Sequence, residues 1–298
     1  MMTSVCINNP EEEIRFHVIV DDSVTEKQKR RMSFTISKFN NKEIVYYLID
    51  KNCLSSYPSI GEYATHITNA AYYRLLLGEI LPPSLKKVIY LDGDIIVVDK
   101  LKELWDVELT LPVACVPEMI GQAPWLDYPT SLGYFNSGVL LINLDYWRTH
   151  KSISVFMDFI NHNAEMIKFH DQDVLNYVFC KTKMTLPLKF NVQNEFFFKE
   201  DVTLIDLKKY GAQFTEAINT PVIVHFTRSQ KPWIIGCPHP YTKEFNKYRD
   251  MTPWRHRNIF DTLKYSGWHH TIGYYARKLG LIGPMDNPYI TIGKPNCY

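Results

Sequence analysis

The sequence predicts an α/β protein: one domain built on a mostly parallel central sheet, followed by a basic, aromatic C-terminal tail. Three observations carry this. From residue 16 onward, short apolar runs alternate with longer amphipathic stretches, the arrangement of strands joined by helices. The run Val88, Ile89, Tyr90, Leu91 is apolar at every position, as in strands covered on both faces. Hydrophobic residues make up 46% of the 298 and charged residues 22%, which suits a chain with a sizeable core and argues against disorder.

The elements follow in order. "FHVIVDD" from Phe16 reads as a strand, and "SVTE" at Ser23 to Glu26 as a capping box opening a helix to about Lys38. "EIVYYLID" is the next strand. "THITNAAYYRLLLGEIL" is a helix with nearly all faces apolar, closed by Pro82 and Pro83. Strands are predicted at 88–92, 113–116 and 138–143, then helices over "LDYWRTHKSISVFMDFINHN" and "DQDVLNYVF", and a last strand "VIVHF" at 222–226. Beyond Pro253 the composition changes: residues 254–298 hold six Lys and Arg, two Asp, three His and eight aromatics. The domain is therefore placed at 1–253 and the tail at 254–298.

A net charge of +1 offers no global field for nucleic acid. The six cysteines are scattered without CxxC spacing, so they read as reduced thiols of a cytoplasmic protein. No apolar run approaches the ~18 residues of a membrane span. Trp254, Trp268, Tyr274 and Tyr275 among the tail's cations form a mixture that sits at an anionic headgroup layer. A packed pair of C-terminal helices explains the tail equally well.

"VIYLDGDIIVV" sets Asp92 and Asp94 at a strand's carboxyl end with Gly93 between them. Ligands bind at that edge of an open α/β sheet. Three readings compete: a turn favouring Asp and Gly, a phosphatase-type nucleophile with its acid/base partner, and a divalent metal site in which a cation neutralises both carboxylates and a diphosphate. The phosphatase reading is weakened because Ile95, Ile96, Val97 and Val98 supply no hydroxyl.

Other segments gather chemistry with equally plain alternatives. Arg74 is the one charged residue over 67–78 of the apolar helix, either snorkelling to the surface or clamping phosphate or sugar oxygens. Asn136, Ser137 and Gly138 precede a strand, as a turn or as a place of close ligand approach. His170, Asp171, Gln172 and Asp173 open a helix, where carboxylates cap free N–H groups by default. His225 lies inside an apolar strand, with Lys231 a few residues on. It is either a satisfied core histidine or a ligand for a borderline metal such as Mn²⁺.

Together these segments resemble family 8 glycosyltransferases, retaining enzymes that include bacterial lipopolysaccharide galactosyl- and glucosyltransferases. The likeness covers roughly residues 1–254 in the family's order: "YYRLLLGEIL", "VIYLDGDIIV", "YFNSGVLLINLDYW", "HDQDVLN", "HFTRSQKPW", "HPY" and "TPW". The resemblance implies a Rossmann-like GT-A domain and transfer of galactose or glucose from a UDP-sugar to a saccharide acceptor such as lipopolysaccharide core. It implies Mn²⁺ or Mg²⁺ held by Asp92, Asp94 and His225, and Lys231 on the diphosphate. Arg74, Asp92, Gly93, Asn136 and Asp171 would bind the donor, with Gln172 and Asp173 at the reacting carbon. Two departures stand out. Arg228 occupies a position where the family usually has Gly. The family also begins with a strand and loop that grip uridine, whereas Met1 starts in the helix that follows them. The resemblance thus implies an absent first strand and a start that is internal or truncated, and it leaves a catalytically impaired relic or binding module as the rival reading. An inner-membrane peripheral location follows from the tail.

Overall fold

The computed structural model describes residues 1–50, 69–121, 123–255, 262–263, 266–290 and 292. In chain order the elements are α1 (Met2–Asn8), β1 (Ile14–Val20), α2 (Glu26–Ile36), β2 (Lys42–Leu48), a 3₁₀ segment (Asn69–Leu76) running into α3 (Leu77–Ile80), β3 (Lys87–Leu91), β4 (Ile95–Val97) and α4 (Lys102–Trp105). There follow β5 (Val113–Pro117), β6 (Phe135–Asn143), α5 (Leu144–Thr149), α6 (Ser152–His162), α7 (His170–Phe179), β7 (Lys183–Thr185), α8 (Lys199–Val202), α9 (Leu207–Asn219), β8 (Ile223–His225), α10 (Thr242–Asp250) and α11 (Trp268–Lys278).

The α/β class holds, but the central sheet is mixed rather than mostly parallel. Its four described strands run in the order β3-β6-β5-β7, with β6 antiparallel to both neighbours and only β5–β7 parallel. The apolar run of β3 comes from cover on both faces, which an antiparallel strand in a layered domain also receives. β6 splits the core. Val139 and Leu141 face one cluster with the aromatic rings of Phe196, Phe197 and Phe226, while Leu140 and Ile142 face the other with Trp147, Phe156 and Phe179. The alternation is the period-2 pattern of a strand buried on both sides.

Local differences have local causes. The capping box that opens α2 uses Thr25 and Gln28, not Ser23 and Glu26: Thr25 accepts from the Gln28 N–H, and Gln28 Oε1 accepts from the Thr25 N–H at 2.7 Å. The helical stretch predicted over 144–163 breaks into α5 and α6 at Lys151, whose φ of 49° is left-handed. Residues 65–68 of the predicted apolar helix lie outside the described residues, and 69–76 wind as 3₁₀.

β1 pairs with β2, and among described residues neither reaches the central sheet. A cavity of about 430 Å³ separates β1 from β3, walled by Ile14–His17 on one side and Lys87–Leu91 on the other, with Met1 and Val5 beside it. Burial there lowers the Met1 α-amino group to about 6.

Candidate active site

Two backbone hydrogen bonds hold the Asp92–Gly93–Asp94 turn where two sheets meet. The Asp92 N–H donates to Gly138 O of β6 at 2.9 Å, and the Phe226 N–H, just past β8, donates to Asp94 O at 3.0 Å. β4 pairs antiparallel with β8 with Ile95 opposite His225. The turn therefore brings both carboxylates to the imidazole. A ligand atom of Asp92, Asp94 and His225 can each be chosen within 4.8 Å of the others, and His225 Nε2 lies 3.2 Å from Asp94 Oδ1 and 3.9 Å from Asp92 Oδ2. Gly93 sits exposed at the tip.

A chain of hydrogen bonds fixes the histidine tautomer. The Gly138 N–H can only donate, and it donates to Asn136 Oδ1 at 3.0 Å. Asn191 Nδ2 donates to the same oxygen at 3.0 Å, which leaves Asn191 Oδ1 facing His225 Nδ1 at 3.1 Å. Nδ1 then carries a proton, so Nε2 is the ring atom that faces the carboxylates. When the imidazole is neutral, its Nε2 lone pair and two carboxylates converge on one point and call for a cation among them. This donor set fits a divalent ion, with Asn191 as the outer partner that orients the imidazole. Burial opposes ionisation of Asp94, but His225 and Lys231 outweigh it and hold the carboxyl well below the usual range.

Lys231 Nζ donates to Asp94 Oδ2 at 2.7 Å and to Phe226 O at 2.6 Å. Gly138 is required by packing: a Cβ there would stand 2.2 Å from His225 Cε1 and 2.8 Å from Asp92 Oδ2. The close approach is thus made by the metal-site side chains themselves.

Arg74 joins this group to a second one. It is buried, not snorkelling: 6% of it is exposed. It pairs with Asp92 Oδ1 at 2.9 Å and with Asp171 Oδ2 at 2.8 Å, and its guanidinium lies 4.4 Å from the Tyr90 ring centre. Burial disfavours the cation, yet Asp171 and Asp92 more than compensate and raise its pKa. Tyr90 also donates to Asp92 Oδ1 at 2.8 Å, so one oxygen of Asp92 faces the arginine and the other faces His225.

The "DQD" triplet divides its labour. His170 takes a left-handed φ of 48° at the start of α7. Asp173 plays the capping part, accepting from the N–H groups of Lys168 and Phe169 at 2.7 and 2.8 Å, and also from Trp125 Nε1 and Tyr134 OH. It is fully buried behind the others, a supporting position. Asp171 pairs with Arg74, and burial pushes its carboxyl upward against that pull. Gln172 Oε1 accepts from the Ser137 N–H at 3.0 Å and from Asn136 Nδ2 at 3.3 Å, tying the second group back to the first. Arg228 turns away to Asp201 and lies over the Phe198 ring.

The paired carboxylates, histidine and lysine, joined through Arg74 to the start of α7, form one polar cluster, and similarity to known proteins gives its family. The sequence model of glycosyl transferase family 8 matches residues 1–235. This chain belongs to family 8. Among its relatives, General stress protein A of Bacillus subtilis (strain 168) is 32% identical, over 85% of this chain and 88% of that protein. The lipopolysaccharide 1,3-galactosyltransferase of Salmonella typhimurium (strain LT2) is 28% identical, over 93% of this chain and 86% of its own length. The GT-A fold is shared with the solved galactosyltransferase LgtC in complex with donor and acceptor sugar analogues, at a TM-score of 0.74 and 25% identity over 85% of this chain and 90% of that one.

The structure brings Arg74, Asp92, Asp94, Asn136, Asp171, Gln172, His225 and Lys231 into one connected cluster, with Gly93 at its exposed tip, Asp173 packed behind it and Arg228 turned away. Sequence reasoning missed the parts of Asn191, Tyr90 and Tyr134: Asn191 follows an aromatic outside the quoted motifs, and the two tyrosines stand inside them among apolar neighbours. Nothing in their local pattern separates them from core residues.

Proposed function

We propose that the chain is a retaining hexosyltransferase moving galactose or glucose from a UDP-sugar to a saccharide acceptor, with lipopolysaccharide core as the acceptor class and Mn²⁺ or Mg²⁺ as the ion. The observation that carries this reading is the convergence of His225 Nε2, on a ring oriented by Asn191, with the carboxylates of Asp92 and Asp94. A bound divalent ion supplies positive charge against a departing diphosphate. Lys231, within reach of the same carboxylate, adds a second cation for the phosphates. Arg74, Asn136, Asp171 and Gln172 form the wall that orients the donor hexose, and Asp173 holds α7 behind it. An amide is a poor nucleophile, so attack by the acceptor hydroxyl on the face the diphosphate leaves accounts for retention at least as well as an intermediate on Gln172. α11 and the basic tail would hold the enzyme at the inner membrane's cytoplasmic surface, near its acceptor. Among the described residues no helix is long and apolar enough to cross a membrane.

The test is a screen of UDP-sugars with purified protein, Mn²⁺ and a lipopolysaccharide-core acceptor. We expect turnover of UDP-galactose or UDP-glucose that chelation abolishes and an α-linked product from the α-linked donor. Inverted product or metal-independent turnover would overturn the reading. The open cavity between β1 and β3 favours a second reading, a catalytically impaired relic or binding module. Absence of both hydrolysis and calorimetric UDP binding would select it.

A further inference from the structure

Glu118 lies outside every motif that the sequence offers, yet the fold carries it into the wall of the site. β5 and β6 pair in register from Val113–Ile142 to Cys115–Leu140; then, while β5 advances to Pro117, its partner falls back to Phe135. The slip lets Asn136, Ser137 and Gly138 stand clear of regular pairing, and irregularities of this kind re-aim side chains beside active sites. Glu118 is the next residue on the other strand. Its N–H donates to Tyr134 O at 2.9 Å, which anchors the backbone, and its side chain reaches Gln172.

The Gln172 amide is held at both ends. Its Oε1 is set by the Ser137 N–H, a backbone donor that only an oxygen can satisfy. Its Nε2 then points the opposite way, donating to Tyr134 OH at 3.0 Å and to Glu118 Oε2 at 3.4 Å. Tyr134 in turn donates to Asp173 at 2.6 Å. Glu118 is the one end of this chain that is neither backbone nor already saturated.

The position is costly for a carboxyl. Among the described residues no cation pairs with Glu118, and its acidic neighbours are Glu195 and Asp173. Burial, and then these two carboxylates, push its group up to about 8. A residue that merely braced the loop would be better served by an apolar chain of the same size. An uncompensated carboxyl against the amide of a reactive pocket points to a task there.

We propose that Glu118 is a positioning residue for sugar transfer, holding the Gln172 amide with Nε2 turned into the wall and Oε1 on the Asn136–Ser137 side, where the donor sugar is read. The inference rests on the proposed transferase reading for its kinetic consequence, but not for its structural one.

The experiment compares Glu118→Leu and Glu118→Gln in the full chain by two readouts. In steady-state transfer with Mn²⁺ and UDP-hexose, Glu118→Leu should lower kcat about 10-fold or more with UDP affinity by calorimetry unchanged, as expected when an interaction serves the transition state rather than ground-state binding. Glu118→Gln, which keeps an acceptor oxygen, should recover most of that loss. In ¹H–¹⁵N spectra the Gln172 side-chain NH₂ pair, assigned from its disappearance in Gln172→Glu, should shift in Glu118→Leu and return toward its place in Glu118→Gln. A Gln172 pair unmoved in Glu118→Leu overturns the proposal, as does a parallel fall of UDP affinity and melting temperature, which would mark a bracing role. If the unaltered protein transfers no sugar from any donor, the function reading fails while the spectra still decide the positioning.

Discussion

At the scale of single residues, the candidate metal site is assembled by exclusion as much as by attraction. Gly138→Ala would drive a methyl into the His225 ring, 2.2 Å from Cε1, so we expect loss of Mn²⁺ binding in a titration followed by electron paramagnetic resonance, with the fold retained. Unchanged affinity would show that the ring can yield. Asp94→Asn should abolish donor turnover without unfolding the chain, because the carboxylate's task is tied to the converging His225 and Lys231; full Mn²⁺-dependent turnover would remove Asp94 from the site. Glu118 supplies a pH test. Its carboxyl is raised to about 8 in the folded state and ionises near 4.3 when unfolded. The folded chain thus binds the extra proton between these values, and stability from this group falls as pH rises through that window. Glu118→Gln lacks this penalty. Its melting temperature relative to the unaltered chain should rise from pH 5 to pH 8, and a constant difference would contradict the assignment.

At the scale of elements, α11 is the segment whose exposed face asks for a partner. Trp268, Ile272, Tyr275 and Leu279 recur at helical spacing and are 67%, 62%, 41% and 74% exposed, with Arg277 and Lys278 in the last turn. An apolar stripe flanked by cations suits an anionic headgroup layer. We predict binding to phosphatidylglycerol vesicles that weakens as salt is raised, and that falls about 100-fold or more in Trp268→Ser with Leu279→Ser, each burying apolar surface worth roughly 1.5–3 kcal/mol when inserted. Equal binding by a chain ending at Pro253 would exclude the tail. The elements also show what was legible beforehand. Asp92 and Asp94, His225 and the "DQD" helix could be read because their chemistry is local: a turn, a strand end, a helix start. The strand directions could not, since an apolar run such as β3 reads alike in either orientation. Asn191 and Glu118 act through partners 34 and 54 positions away along the chain, a distance that no local pattern spans. Asp173 was legible as a cap by residue type and placed at the reacting carbon by resemblance; its burial separates the two.

At the scale of the whole molecule, the space between β1 and β3 sets the β1–β2 pair apart from the four-stranded sheet, among the described strands. The site itself spans the two core clusters, and Asp92 is its hinge point: one oxygen belongs to Arg74 and Tyr90, the other faces His225. One carboxylate cannot serve two subsites independently. On the proposed reading, whatever factor by which a bound hexose tightens the hold on the ion, the ion must return to the hexose in full, so apparent affinities measured for either alone would depend on the concentration of the other.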